Sequence, residues 1–258
     1  MRRRQRYWNA FRTILTKEVL RFTRIWMQTI LPPAITTALY FIIFGTLIGG
    51  QIGEMDGFPY IDFIVPGLIL MSVIANSYAN VVSSFYSSKF QHYVEELLIA
   101  PVPNWIILAG FVAGGVARGL VVGIVVTGVS LLFTDLQIHS YAVTLLVFTL
   151  TSVLFATAGF INAVFANSFD DISIIPTFVL TPLTYLGGVF YSIRLLPEFW
   201  QQVSLANPVL YMINAFRYGL LGVTDIPLWM AFGIILVFIV GLLAYSLWLL
   251  QRGVGIKT

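Results

Sequence analysis

Cysteine is missing from this 258-residue chain, which removes disulfide frameworks, thiolate metal sites and cysteine nucleophiles together. Charge is nearly as scarce: 10% of residues are charged and 59% hydrophobic, with a mean hydropathy of +0.91. That balance lies far outside soluble globular usage and indicates an all-α polytopic membrane protein. Nucleotide-binding and hydrolytic patterns are also absent, since no G-x-x-x-x-G-K-[ST], H-E-x-x-H or G-x-S-x-G occurs. The histidines are His92 and His139 alone, in loops expected on opposite sides of the membrane. No catalytic residue and no metal ligand is therefore assigned, and any ATP that drives the protein must be hydrolysed by another chain. Carboxylates are missing from the middle of the apolar runs as well. Glu18, Glu95, Glu96, Asp170 and Asp171 fall at one set of ends, and Glu54, Asp56, Asp62, Asp135, Glu198 and Asp225 at the other. Proton- and sodium-coupled carriers usually need a titratable carboxylate near the midplane, so that class is disfavoured.

What is there begins with a basic amphipathic stretch. Tyr7, Trp8, Phe11, Ile14, Leu15, Val19, Phe22, Ile25 and Trp26 recur mostly by threes and fours, while Arg12, Lys17, Glu18, Arg21 and Arg24 face away. The pattern predicts a helix lying in the membrane interface, whose basic face suits anionic lipid and not nucleic acid. About 25 residues of such sequence precede the first long apolar run, and no small-residue cleavage site follows it, so no cleavable signal peptide is expected. Six spans are predicted: Gln28–Ile48, closed by a Gly49-Gly50 turn, then Ile61–Tyr86, Asn104–Phe133, Tyr141–Phe165, Ile172–Phe190 and Leu228–Leu250. The chain reads as one transmembrane domain, 1–258, with an interfacial 1–27, a bundle 28–250 and a tail 251–258.

Basic residues set the orientation. Eight lie before Trp26 (Arg2, Arg3, Arg4, Arg6, Arg12, Lys17, Arg21, Arg24), and Lys89, Arg252 and Lys257 share their side, against Arg194 and Arg217 opposite. Both termini are thus expected in the cytosol. Pro208–Val223 is apolar but its 16 residues make only about 24 Å of helix, short of a roughly 30 Å hydrocarbon core. Two short outer helices are predicted instead, one starting at Pro197 and one at Pro208 with Asn207 as its cap, dipping into the outer leaflet without crossing it.

Between the second and third spans, Ser88–Pro103 is too polar for the bilayer. Phe90, Val94, Leu97 and Leu98 fall on one face of a short helix and Gln91, His92, Glu95 and Glu96 on the other. Ser88 with Gln91 resembles a capping box, and Pro101 and Pro103 end the helix. The segment is either an ordinary cytosolic loop or a handle for a partner in the aqueous phase. Within the spans, Arg118 lies deep and is either part of a translocation path or a structural charge satisfied by Asn76 or Asn80. Ser72, Asn76, Asn80 and Ser83 form a polar stripe that could glue helices or line a path. Gly110, Gly114, Gly115, Gly119 and Gly123 permit close helix packing, within the chain or across a dimer seam.

The interfacial helix, the VEELLIAPVP segment, the TPLTYLGGVFY run at Thr181–Tyr191 and the NPVLYMINAFRYG run at Asn207–Gly219 together resemble the ABC-2 type permeases, membrane subunits of bacterial ABC exporters. The likeness covers essentially the whole chain and implies a multi-pass protein of the inner membrane. It implies a dimer of two permease copies served by separate ATPase subunits that bind ATP and magnesium, with no cofactor in this chain. The segment carrying Glu95, Glu96, Leu97 and Leu98 would dock on the ATPase, with Phe90 and Val94 anchoring it. Asn207, Pro208, Tyr211 and Arg217 would sit in re-entrant helices over the exit. The cargo implied is an amphiphile such as a drug, lipid or glycolipid, with a lipid-linked polysaccharide as the alternative. A transmitter of ATPase motion that carries nothing is the reading from a different class.

Overall fold

The structure, a computed structural model, describes residues 3–255; Arg2 and Lys257, counted above among the orienting charges, lie outside them. It is almost wholly helical. Five helices are long and apolar enough to cross a membrane among the described residues. Helix α1 (Arg3–Arg24) comes first and turns at Ile25 into the first spanning rod. The turn is satisfied by Thr29, whose hydroxyl donates to the carbonyls of Phe22 and Ile25 at the end of α1. The rod is assembled from α2 (Trp26–Thr29), α3 (Leu31–Tyr40), a π-helical stretch Phe41–Ile48 and α4 (Gly49–Ile52). Pro32 and Pro33 are accommodated because they occupy the first turn of α3, where no intrahelical N–H bond is lost. The expected turn at Gly49-Gly50 is not there. Both glycines stay helical, and the chain reverses at Gly53 and through a tight hairpin, β1 (Glu54–Met55) against β2 (Phe58–Pro59). Asp56 and Gly57 take φ of 51° and 82° in that hairpin, the left-handed pair that a twisted two-residue connection demands.

Helix α5 (Tyr60–Phe90) is the centre of the bundle, packed along its length by α7 (Asn104–Ser130) and α8 (Tyr141–Phe165). Lipid offers no hydrophobic reason for apolar helices to associate, so close approach and interlocking side chains must hold them. Both are visible. A Cβ on Gly159 of α8 would lie 2.6 Å from the Tyr78 carbonyl oxygen of α5, so the two backbones touch at that point. Beside it the Phe85 ring meets Phe160 at 4.3 Å and Phe111 edge-on at 5.2 Å. Helix α6 (Tyr93–Ile99) lies between α5 and α7, and the last spanning helix is α13 (Leu228–Arg252), packed on α8.

The segment expected as the span Ile172–Phe190 is shorter and broken. Helix α9 (Asp171–Ile175), π-helical Pro176–Leu180 and α10 (Thr181–Tyr185) run on from one another, and helix ends before Gly188 at φ +77°. Pro176 and Pro182 each remove a backbone donor, and the wider turn between them absorbs the lost registry. The segment nevertheless starts beside one end of α5 and finishes beside the other. Phe169 just before it packs on Phe90, and Phe190 just after it accepts a hydrogen bond from the Tyr60 hydroxyl. Helix α11 (Glu198–Leu205) follows Pro197, and α12 (Pro208–Leu221) follows Asn207, as the sequence predicts.

Candidate functional site

The polar handle is built differently from its sequence pattern. Ser88 belongs to α5, where its hydroxyl donates to the Ser84 carbonyl, so no capping box forms with Gln91. The chain instead breaks at His92, whose φ of 60° ends α5 and starts α6. Its ring nitrogen lies 3.1 Å from the Glu95 carboxylate, which holds the first turn of α6. The base of the handle is fixed by Lys89, whose ammonium donates to the carbonyls of Val164 and Ala166 at the C-terminal end of α8. Those are the orphan acceptors of a helix end, where a cation is favoured. The expected anchoring face divides accordingly. Val94 is buried, and Leu97 and Leu98 are partly buried against the core, whereas Phe90 sits on α5 and is exposed. The surface left open is Tyr93, Glu96 and Ile99, with Ile99 85% exposed, continued by Phe90 and Phe169 whose rings are 5.3 Å apart. Tyr93, Ile99 and Phe169 were not singled out by sequence reasoning. The i, i+3, i+6 spacing of Tyr93, Glu96 and Ile99 is the signal that could have found the first two.

Two groups of polar side chains lie along α5. Arg118 of α7 donates to the Asn76 side-chain oxygen at 3.0 Å, while Asn76 donates to the Ser72 carbonyl. Asn80 is not part of that pair; it accepts from Arg21 of α1 through both its carbonyl and its side chain, at 2.7 and 2.9 Å, and Ser83 accepts from the same guanidinium. The remaining member of the stripe, Ser72, meets Thr37 of the first span at 3.4 Å. A hollow of about 240 Å³ lies there, lined by Thr37, Tyr40, Ser72 and Asn76. The stripe therefore binds α5 to three neighbours in turn, and its Ser72 and Asn76 border that hollow.

Glu18 and Arg21 do not face away from the apolar side of α1 as expected; both turn into the bundle. Glu18 is fully buried between Ile14 and Phe22 on the face that packs against α7. Gly114 makes the space, since a Cβ there would stand 2.4 Å from that of Glu18. Ser84 donates to the carboxylate, and the Arg21 guanidinium lies 3.6 Å away. Burial lifts the Glu18 carboxyl above its ordinary 4.5, outweighing the downward pulls of Arg21 and Ser84, and burial likewise lowers Arg21. The folded protein thus keeps a proton that the unfolded chain releases once pH passes 4.5. Its contribution is full below that pH and is lost as pH rises through the raised native value. Glu18→Gln should therefore flatten the pH dependence of the thermal midpoint above pH 4.5. Parallel curves for the two proteins would show that Glu18 is not linked to folding.

At the far end of the bundle the residues expected in re-entrant helices form a tight set. Asn207 accepts from the Val209 N–H as the helix cap and donates to the Leu183 carbonyl, and Tyr211 donates to the Leu205 carbonyl. Pro208 fills the first position of α12. Arg217 is completely enclosed: it donates to the Gly188 carbonyl and its guanidinium lies 3.9 Å from the centre of the Phe63 ring. Asn214 accepts from the Asp225 N–H, and Asp225 in turn holds Ser192 and, at 3.0 Å, Arg194. No cluster of three or more potential metal ligands exists among the described residues.

A family model described as ABC-2 type transporter matches residues 9–221. The chain is 60% identical over 252 residues, 98% of each chain, to the "Inner membrane transport permease YadH" of Escherichia coli K12. It is 25% identical over 240 residues, 92% of each chain, to "Nodulation protein J" of Rhizobium leguminosarum bv. viciae. To the protein of that name from Rhizobium meliloti it is 26% identical over 218 residues, 83% of this chain and 82% of the relative.

Proposed function

Because the chain belongs to the ABC-2 type transporter family, we propose that it is the permease half of an exporter that moves an amphiphile outward across the inner membrane. Two copies pair, and separate ATPase subunits bind ATP and magnesium and supply the work. The observation that carries this reading is the handle: a short helix braced from beneath by Lys89 and Val94 that turns Tyr93, Glu96 and Ile99 outward, clear of every span. A braced lever is what converts closure of an ATPase dimer into rocking of the permease.

Six crossings are part of the proposal. The interrupted segment from α9 to Phe190 starts and ends at opposite ends of α5, which supports counting it as the crossing that joins α8 to the re-entrant pair. With six crossings the handle and both termini share the cytosolic side, in keeping with the basic residues of α1. The polar hollow between the first span and α5, with Arg118 fixed behind it through Asn76, is a candidate stretch of the path. The outer segments are short and leave no large external domain, which suits cargo drawn from the bilayer or the cytosol.

The chain has no cysteine, so single cysteines report topology cleanly. Gln91→Cys and Asn167→Cys should react with an impermeant thiol reagent only from the cytosolic side, and Gln137→Cys and Gln202→Cys only from outside. All four sites are exposed. Reaction of Gln202→Cys from the cytosol would remove the sixth crossing.

A further inference from the structure

Helix α7 carries two parallel rows of small residues with opposite fates. Gly110 and Gly114 are filled by α1, because Ile14 and Glu18 press against them closely enough to exclude any Cβ. Ala109, Ala113 and Ala117, one position away, are not filled. They form the floor of an open groove of about 730 Å³, with Phe11 and Leu15 of α1 along one wall and Leu243 and Leu247 of α13 along the other. From Trp105 at its mouth to Leu120 at its inner end the groove follows α7 over fifteen residue steps. That is about 22 Å of helix, more than the roughly 15 Å depth of one leaflet's hydrocarbon.

The mouth opens into a second hollow of about 830 Å³, which shares Phe11, Trp105 and Ala109 with the groove and is bordered by Arg4, Gln5, Tyr7 and Trp8. Tyr7 stands edge-on to Trp105 at 6.5 Å, and Trp8 and Trp105 are both more than half exposed. The whole is an apolar slot that begins under an interfacial helix, passes an aromatic rim and carries exposed Arg4 at its entrance. Tryptophan and tyrosine favour the headgroup level, and arginine there attracts anionic headgroups.

We propose that this groove is a binding site for an anionic phospholipid, with an acyl tail over Ala109, Ala113 and Ala117 and its phosphate held at Arg4. An apolar slot open to hydrocarbon holds no water, so acyl chain or an apolar protein surface fills it. A second permease copy is a poor occupant, because a two-fold contact places the same patch on both sides and would set Arg4 against its own counterpart. The lipid would wedge α1 against α7 and α13 and so set the angle of the helix that carries Glu18 and Arg21.

The test uses the detergent-solubilised permease–ATPase complex, offered phosphatidylglycerol and phosphatidylcholine in equal amounts, with bound lipid counted by native mass spectrometry. Phosphatidylglycerol should be retained about fivefold over phosphatidylcholine, the preference expected from one basic side chain at the surface. Arg4→Gln should bring that ratio close to one. Ala117→Phe, which fills the groove, should reduce retention of both lipids. Equal retention by the wild type, or unchanged retention by Ala117→Phe, overturns the site. A phosphatidylglycerol carrying a photoactivatable acyl tail gives a readout on the wild-type chain itself: label should be recovered between Ala109 and Ala117 or at Leu243 and Leu247. Label confined to the first span, or a permease–permease crosslink through this face, would also overturn it.

Discussion

Replacing Tyr93 and Ile99 together by alanine should weaken binding of the ATPase subunit by at least about thirtyfold, the effect of losing one strong interface anchor of about 2 kcal/mol. Both side chains are exposed on a helix whose base is fixed, and an exposed isoleucine outside the bilayer gains only when a partner covers it. ATP turnover coupled to the permease should fall with binding. Membrane insertion should not, because α6 lies outside the spanning helices. Charge reversal separates the two glutamates. Glu96 is exposed and should matter to a basic partner surface, whereas Glu95 is occupied with His92 and should matter less. Val94→Ala belongs to another class: Val94 is buried, so its loss should loosen the handle and reduce coupling more than binding. Binding is read by pull-down of the ATPase with solubilised permease, and wild-type binding by the Tyr93, Ile99 double variant would mean that the partner docks elsewhere.

Gly159→Leu should prevent a stable bundle from forming. The obstacle is not a side chain that can swing aside but the Tyr78 carbonyl, 2.6 Å from where the new Cβ would be, with the Tyr78 backbone carbon at 3.3 Å. Helices α5 and α8 would have to move apart along the most extensive contact in the protein. Overpacking of a filled core costs about 1–3 kcal/mol, and forced separation of two backbones belongs at or above the top of that range. The expected result is a permease that is made and inserted but aggregates on solubilisation. The control is Gly128→Leu, since a Cβ at Gly128 meets nothing within 4 Å. Equal thermal midpoints for both variants would show that the α5–α8 contact yields more easily than its geometry implies.

Much of this architecture was legible in the sequence, and the failures share a cause. The Tyr141–Phe165 helix, the start of α7 at Asn104, the Asn207 cap and the helix starts after Pro197 and at Asn207-Pro208 all carry local signals that survive in any surroundings. Orientation within the membrane does not. In water an apolar stripe marks the buried face, but here Trp8 and Leu20 face outward and Ile14 and Phe22 inward, all equally apolar. The position of Glu18 is illegible for that reason: its burial depends on a glycine almost a hundred residues away in sequence and on Ser84. The handle is legible from its polarity, but the pattern places its cap at Ser88, four residues early. The break comes from the left-handed turn at His92, whereas the Ser88 hydroxyl merely bonds back to its own helix. The mostly apolar composition after Asp171 predicts one long helix; Pro176 and Pro182 shorten it. The sequence places Arg118 deep and in need of a partner, and of Asn76 and Asn80 it is Asn76 that the guanidinium reaches.

The central claim is that the open face of α6 is where the ATPase grips the permease. A photocrosslinking residue placed at Ile99, at Tyr93 and at Val94 in turn, in cells that make both subunits, tests it most directly. Positions 99 and 93 should each yield a permease–ATPase adduct, and position 94, buried in the bundle, should yield none. Lipid adducts alone from position 99, or an ATPase adduct from position 94 as strong as that from 99, would contradict the account.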